Sequence, residues 1–287
     1  MRIINAISLA PDVLNWLAYS QHPRILHVFD HACNLINERK EVLSIVTSQI
    51  GNGPFNLVIE DDVLFSDYLR AQSSISIHSN QLHVGALDIC TTSVQLWNPR
   101  PDWERLHGRR DDVFNQIIKL SPINYQKWGL DMPFAKTAQD YAATTSLSTA
   151  LTKADIPTAL IRTRQLAGLG QGLTPAGDDF IVGAVLAAWI IHPPEVARVL
   201  AEQITNTAAP LTTSLSAAWL KSAGRGEAGI LWHNFFDALS SADPKQIQDT
   251  ANHILAIGET SGADALTGFI ATFSSYTELR ENDVLLK

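Results

Sequence analysis

The chain has 287 residues, 46% of them apolar and 17% charged, which supplies a large core and excludes a globally disordered protein. A formal net charge of −8 excludes the basic footprint of a nucleic-acid binder, but leaves room for a local site that takes a small anion. The two cysteines, Cys33 and Cys90, give neither a disulfide framework nor zinc-ligand spacing, as expected for a reducing compartment.

The opening MRIINAISLAPDVLNWLAYS lacks a basic n-region and is interrupted by Pro11 and Asp12, so it does not read as a signal peptide. The longest apolar run, residues 180–191, is too short to span a bilayer. The expectation is a cytoplasmic protein with no membrane partner. Residues 12–20 suggest a short amphipathic helix, with Val13, Leu14, Trp16 and Leu17 on its apolar face. Residues 25–36 fit strand or helix. On a helix, His27 and His31 would have metal-ligand spacing, although ordinary histidines are the simpler reading. Residues 42–48 and 56–60 read as strands around the turn cluster Gly51-Asn52-Gly53-Pro54. Alternation through Ile75 and Ile77, then Leu82, Val84 and Ala86, predicts a hairpin turning at Ser79-Asn80, and residues 94–97 add a strand.

Beyond Pro101 the period changes to helical. Helices are expected at 103–120, 138–154, 178–191, 194–205, 212–222, 229–239, 244–256 and 263–273, with 126–136 irregular. The predicted fold class is α+β: a β-rich module over 1–101, sheet or small barrel, then a helical bundle over 102–287.

The most informative stretch is residues 166–189, LAGLGQGLTPAGDDFIVGAVLAAW. Gly168, Gly170, Gly172 and Gly177 crowd a segment that leads through Thr174-Pro175 into Asp178-Asp179. Glycine allows positive φ and close backbone approach. Pro175 suits the first helical position, and Thr174 or Asp178 suits the N-cap. A glycine-rich loop entering a helix is an anion site in waiting, since free N–H groups and the dipole favour negative charge. The pattern is neither a Walker A motif nor a dinucleotide fingerprint, so a plain tight connection competes with that reading.

Residues 258–268, GETSGADALTG, echo residues 172–183, GLTPAGDDFIVG. Each has a Thr, a small-residue turn, an Asp and a Gly four residues later. Ser261 and Asp264 have capping-box spacing, with Asp in place of Glu or Gln. Gly183 and Gly268 would let two helices cross closely, so that two helix starts converge on one pocket.

Asp178, Asp179 and Asp264 are the candidate catalytic carboxylates. They would hold a divalent cation, orient an amide, or serve only as helix-start acids. Carboxylates repel phosphate unless positive charge intervenes. Arg162, Arg164 and Arg225 are candidates for that charge, with Mg²⁺ as the alternative. Candidate substrate-binding residues are Gly168, Gly170, Gly172, Thr174 and Gly177 in the loop, and Thr260, Ser261 and Gly262 in its echo. Thr213, in the hydroxyl cluster after Pro210, and Glu227, after Gly224-Arg225-Gly226, join them. Helix capping is the competing reading for the hydroxyls, and an exposed first-turn acid for Glu227. No G-x-S-x-G elbow is present, so covalent hydrolase chemistry is disfavoured.

GLGQGLTPAGDDFIVG, the TTSLS cluster, the GRGE turn and IGETSGADALTGFI together resemble the AllH-type subunit of oxamate carbamoyltransferase. HVFDHACNLI, NGPFNLVIE, LHVGALDI and LWNP fit the same family's N-terminal layout. The resemblance implies a role in purine-derived nitrogen catabolism, in allantoin use, where oxalurate and phosphate yield oxamate and carbamoyl phosphate with other subunits taking part. It transfers no catalytic residues. Three readings follow: an enzyme subunit that needs partners, a non-catalytic subunit sensing a phosphate or carboxylate, and a scaffold whose glycines only pack helices.

Overall fold

A computed structural model describes residues 2–60, 63–124 and 137–285. They fall into two compact units, one of residues 1–99 with 228–230 and the other of 100–227 with 231–287. The irregular stretch expected at 126–136 lies outside the described residues.

The first unit is β-rich. Its strands are β1 (Arg2–Leu9), β2 (Arg24–Val28), β3 (Ala32–Ile36), β4 (Val42–Thr47), β5 (Asn56–Ile59), β6 (Ile75–His78), β7 (Gln81–Val84), β8 (Leu87–Cys90) and β9 (Gln95–Leu96). Two helices interrupt them, α1 (Pro11–Tyr19) and the single turn α2 (Phe65–Tyr68). The sheet runs β2-β3-β4-β5-β1-β8-β7-β6 and is nearly closed, barrel-like, with β9 pairing off that path onto β1. β1 is the hinge of the sheet. Arg2–Asn5 run parallel to β8, and after a register shift Ser8 and Leu9 pair with both β5 and β9. Ile4, Ala6 and Leu9 of β1 join Leu35, Leu43, Ile45, Leu57 and Ile89 in a closed core.

The ambiguous segment 25–36 is a hairpin, not a helix. β2 and β3 pair antiparallel, with Val28 opposite Cys33, so His27 and His31 do not share a helix face. β-branched and aliphatic residues on both strands, packed against a sheet, override the four-residue histidine spacing.

The second unit is helical. It holds α3 (Trp103–Gly108), α4 (Arg110–Asn124), α5 (Ala138–Thr152), α6 (Ile156–Leu166), α7 (Ala176–Ile191), α8 (Pro194–Ala208), α9 (Ser214–Gly224), most of α10 (Ile230–Ser241), α11 (Pro244–Leu255) and α12 (Ser261–Leu285). The helix expected at 103–120 is broken at Arg109, which closes α3 as its C-cap and sends its guanidinium to the Ser240 carbonyl. α7 is the central element, with both faces buried from Gly177 to Asp179 and from Phe180 to Ile191 save Val182. α12 packs more extensively on α7 than any other pair of elements packs. Phe269 and Phe273 of α12 meet in an aromatic cluster with Trp232, Phe235 and Phe236. Among the described residues, no helix is long and apolar enough to cross a membrane.

Candidate functional site

The glycine-rich loop joins α6 to α7. Gly168, Gly170 and Gly172 take φ of 73°, 120° and 94°, conformations that an L side chain rarely adopts. Gly177 is helical, and its need is space: a Cβ there would overlap the Leu166 carbonyl oxygen. Pro175 is the N-cap and makes no side-chain bond, which displaces it from the expected first helical position. Neither Thr174 nor Asp178 takes that cap, because both side chains are engaged in tertiary contacts.

Asp178 is fully buried, and one carboxylate oxygen accepts the Gly168 N–H at 2.8 Å. The other oxygen accepts the Thr212 hydroxyl and, at 2.8 Å, the Ser216 hydroxyl. Burial pushes this carboxyl above its ordinary range, opposed by Thr212, Gly168 and Ser216. Asp178 is thus a clasp that ties the loop to the start of α9. Thr213 caps α9 by accepting the Ser216 N–H, and its hydroxyl donates to the Leu173 carbonyl. Thr212 and Ser216 bound the TTSLS hydroxyl cluster, and the carboxylate to which they donate is the chain's own Asp178.

The echo lies at the start of α12. Thr174 and Ser261 touch through their hydroxyls at 2.7 Å, so the loop and its echo meet directly. Asp179 and Asp264 occupy the fourth helical position of α7 and α12. They are 8% and 3% exposed, and each keeps one buried carboxyl oxygen, Oδ2, without a hydrogen-bond partner. Burial pushes Asp179 up to about 8, and the Asp264 and Asp178 charges add to that while the Ser261 and Thr174 hydroxyls oppose it. Burial likewise lifts Asp264 to about 6, against the hydroxyl of Thr260. Desolvation therefore outweighs the helix-start dipole, which alone would favour ionised acids.

Gly183 and Gly268 permit this convergence. A Cβ on Gly183 would overlap the Ala265 carbonyl, and one on Gly268 the Phe180 carbonyl. Gly262 sits against the Ile254 carbonyl as Gly177 does against Leu166.

The remaining candidates lie elsewhere. Glu227 pairs with Arg225 at 2.6 Å, just past the C-terminal end of α9, which lies about 12 Å along that helix from Ser216 of the clasp. None of the three proposed arginines faces the acids. Arg162 bonds Ser146 and Gln165, Arg164 reaches the Leu160 carbonyl, and Arg225 holds Glu227. Among the described residues no group of three or more His, Cys, Asp or Glu is arranged to hold a metal ion. A separate cleft of about 820 Å³ lies over Trp103 and Trp189, where four basic residues, Lys221 among them, face four acidic ones. It includes none of the three aspartates.

Hydrogen-bonding capacity remains in two places. One is the set of exposed loop amides of Gly170, Gln171 and Gly172, which form no hydrogen bond within the described residues. The other is the pair of buried carboxyl oxygens on Asp179 and Asp264. Exposed loop amides can bind an oxyanion, and the buried carboxyl pair can exchange a proton.

No solved structure matches the chain. Residues 166–273 match the family model described as oxamate carbamoyltransferase subunit AllH, and residues 5–98 match that of the AllH family N-terminal domain. The first match spans the loop, the clasp, the acid pair and the helices that carry them, and with the second it establishes that the chain belongs to the AllH family, a carbamoyltransferase-related subunit.

Proposed function

We propose that the chain is a cytoplasmic, catalytic subunit of an oxamate carbamoyltransferase-type complex in purine and allantoin catabolism. In this reading it acts on oxalurate and phosphate at the convergent starts of α7 and α12. One observation carries the reading: Asp179 and Asp264 are buried close to one another with a free oxygen each, where Thr174 ties the glycine loop to the start of α12. Gly170, Gly172 and Thr174 form the anion cradle, and Thr260 and Ser261 supply donors at its rim. A protonated Asp179 lowers the repulsion that two ionised carboxylates would exert on phosphate, leaving Asp264 ionised to act as the base.

The chemistry balances. A phosphate oxygen attacks the ureido carbonyl carbon, and the bond from that carbon to the inner nitrogen breaks. The departing nitrogen takes a proton from Asp179, and Asp264 takes the proton that phosphate loses. Oxamate and carbamoyl phosphate leave, and the pair recovers its starting charge when a proton passes between the two acids. Asp178, Gly168, Gly177 and Gly262 hold the frame in this scheme, while Thr213 and Glu227 take no part.

The test is turnover by the chain assembled with its partner subunits, preceded by a thermal-shift screen of phosphate, carbamoyl phosphate, oxamate and oxalurate. Ligands that bind the native state raise its apparent stability. Loss of turnover in Asp179→Asn and Asp264→Asn, with assembly intact, is the expected result. Full turnover in both would end the reading.

A further inference from the structure

The repeat is longer than its glycine motif. Ala154 and Ala242 both adopt positive φ, 51° and 58°, and each precedes an aspartate, Asp155 or Asp243, that caps the next helix. Positive φ is uncommon for alanine, so its recurrence 88 positions apart marks corresponding places in two copies. The correspondence continues through α6 and α11. Leu169 N–H bonds the Leu166 carbonyl and Ile257 N–H the Ile254 carbonyl, again 88 positions apart. Gly177 N–H then returns to Leu169, and Gly262 N–H to Ile257, after a loop three residues shorter in the second copy.

The two copies meet with exchanged roles. Gly183 lies against the Ala265 carbonyl and Gly268 against the Phe180 carbonyl, and both pairs are related by the same 85-position offset. A contact made twice with partners exchanged is the signature of a local two-fold axis. Asp179 and Asp264, one residue before Phe180 and Ala265, are mates under that axis. Each keeps a buried free oxygen, and the two carboxyls lie close enough for the Asp264 charge to raise Asp179.

Resting on the catalytic reading of this site, we infer that Asp179 and Asp264 form one two-fold carboxyl pair that shares a proton and binds the amide end of a ureido or carboxamide ligand. The complementarity is specific. The protonated oxygen donates to the ligand carbonyl, and the ionised oxygen accepts its N–H. A carboxylate-only ligand offers no N–H and leaves the ionised oxygen unsatisfied, which is costly in a buried site. The charges acting on Asp179 are Asp264 and Asp178. On the surrounding helices, Arg162 and Arg164 of α6 are bonded elsewhere and Asp140 caps α5. Arg198 of α8, Lys221 of α9 and His253 of α11 are exposed.

The test uses the full chain and two readouts that need no turnover. Infrared titration of the wild-type carboxyl region follows the protonated-carboxyl band from pH 5 to 9, beside Asp264→Asn and Asp179→Asn. Removing the Asp264 charge should lower the Asp179 midpoint by at least half a pH unit, and Asp179→Asn should abolish that step. Thermal shift then compares oxalurate with succinate, which lacks N–H donors. Oxalurate alone should stabilise the wild type, and either Asn variant should lose at least tenfold in apparent affinity. An Asp179 midpoint indifferent to Asp264, equal stabilisation by succinate, or no stabilisation by oxalurate would overturn the inference. A chain that passes these tests while the assembled complex fails to transfer carbamoyl would instead sink the catalytic reading.

Discussion

Gly183 and Gly268 face each other's helices across the α7–α12 crossing, each pressed against a backbone carbonyl of the other, Ala265 or Phe180. The backbones approach so closely that neither position has room for a methyl group. This contact brings Asp179 and Asp264, each four residues before its glycine, to one place.

Gly183→Ala and Gly268→Ala should each destabilise the chain by about 3 kcal/mol, the upper end of typical overpacking, because rigid backbone must move. Gly172→Ala is the control. Its φ of 94° is strained for alanine, but a Cβ there meets nothing within 4 Å, so the cost should be about 1–2 kcal/mol. Urea denaturation midpoints would rank the three. Equal losses at Gly172 and Gly183 would contradict the close crossing.

Asp178→Ala should be strongly destabilising, by about 3 kcal/mol, since it strands the Gly168 N–H and the Thr212 and Ser216 hydroxyls. Hydrogen exchange should show the loop and the first turn of α9 opening together. Unchanged protection of the Gly168 amide would argue against the clasp.

Stability should fall as pH rises from about 4 to 8 and then level off. Both Asp264, at about 6, and Asp179, at about 8, lie above the ordinary 3.8, so the native chain holds more protons than the unfolded chain across that window. Each group contributes a slope of at most about 1.4 kcal/mol per pH unit. Asp179→Asn, which mimics the protonated acid, should flatten the upper part and be more stable than the wild type at pH 8. Denaturant titrations at pH 5, 6.5 and 8 would check the sign, and a slope that steepens in Asp179→Asn would refute the assignment.

Ser261→Ala removes a hydroxyl that lowers the Asp179 pKa, so the Asp179 midpoint should move up. It also cuts the contact from Thr174 to α12, and the loop should become more susceptible to proteolysis. A downward shift of the midpoint would show that the hydroxyl does not support the ionised form.

The order of a β-rich module followed by helices was legible from period alone, because strand alternation and helical spacing are local properties of the chain. The hairpin at Ser79-Asn80 and the helix starts after Pro193 and Asp243 were readable for the same reason. The repeated glycine–aspartate pattern also announced that two helices would cross at Gly183 and Gly268. Residues 25–36 were not decidable, since a short apolar run suits either state until β4 lies beside it. The roles of the three aspartates were beyond the sequence as well. Asp178 and Asp179 are adjacent and chemically identical, yet successive helix positions turn them by about 100°. One therefore meets Gly168, Thr212 and Ser216, while the other meets Asp264. Sequence determined which groups were available and how each helix would start. Only the tertiary structure decided which carboxylate is satisfied and which is left with a free oxygen, because that depends on the Thr212 and Ser216 donors brought to Asp178 from 34 and 38 residues away.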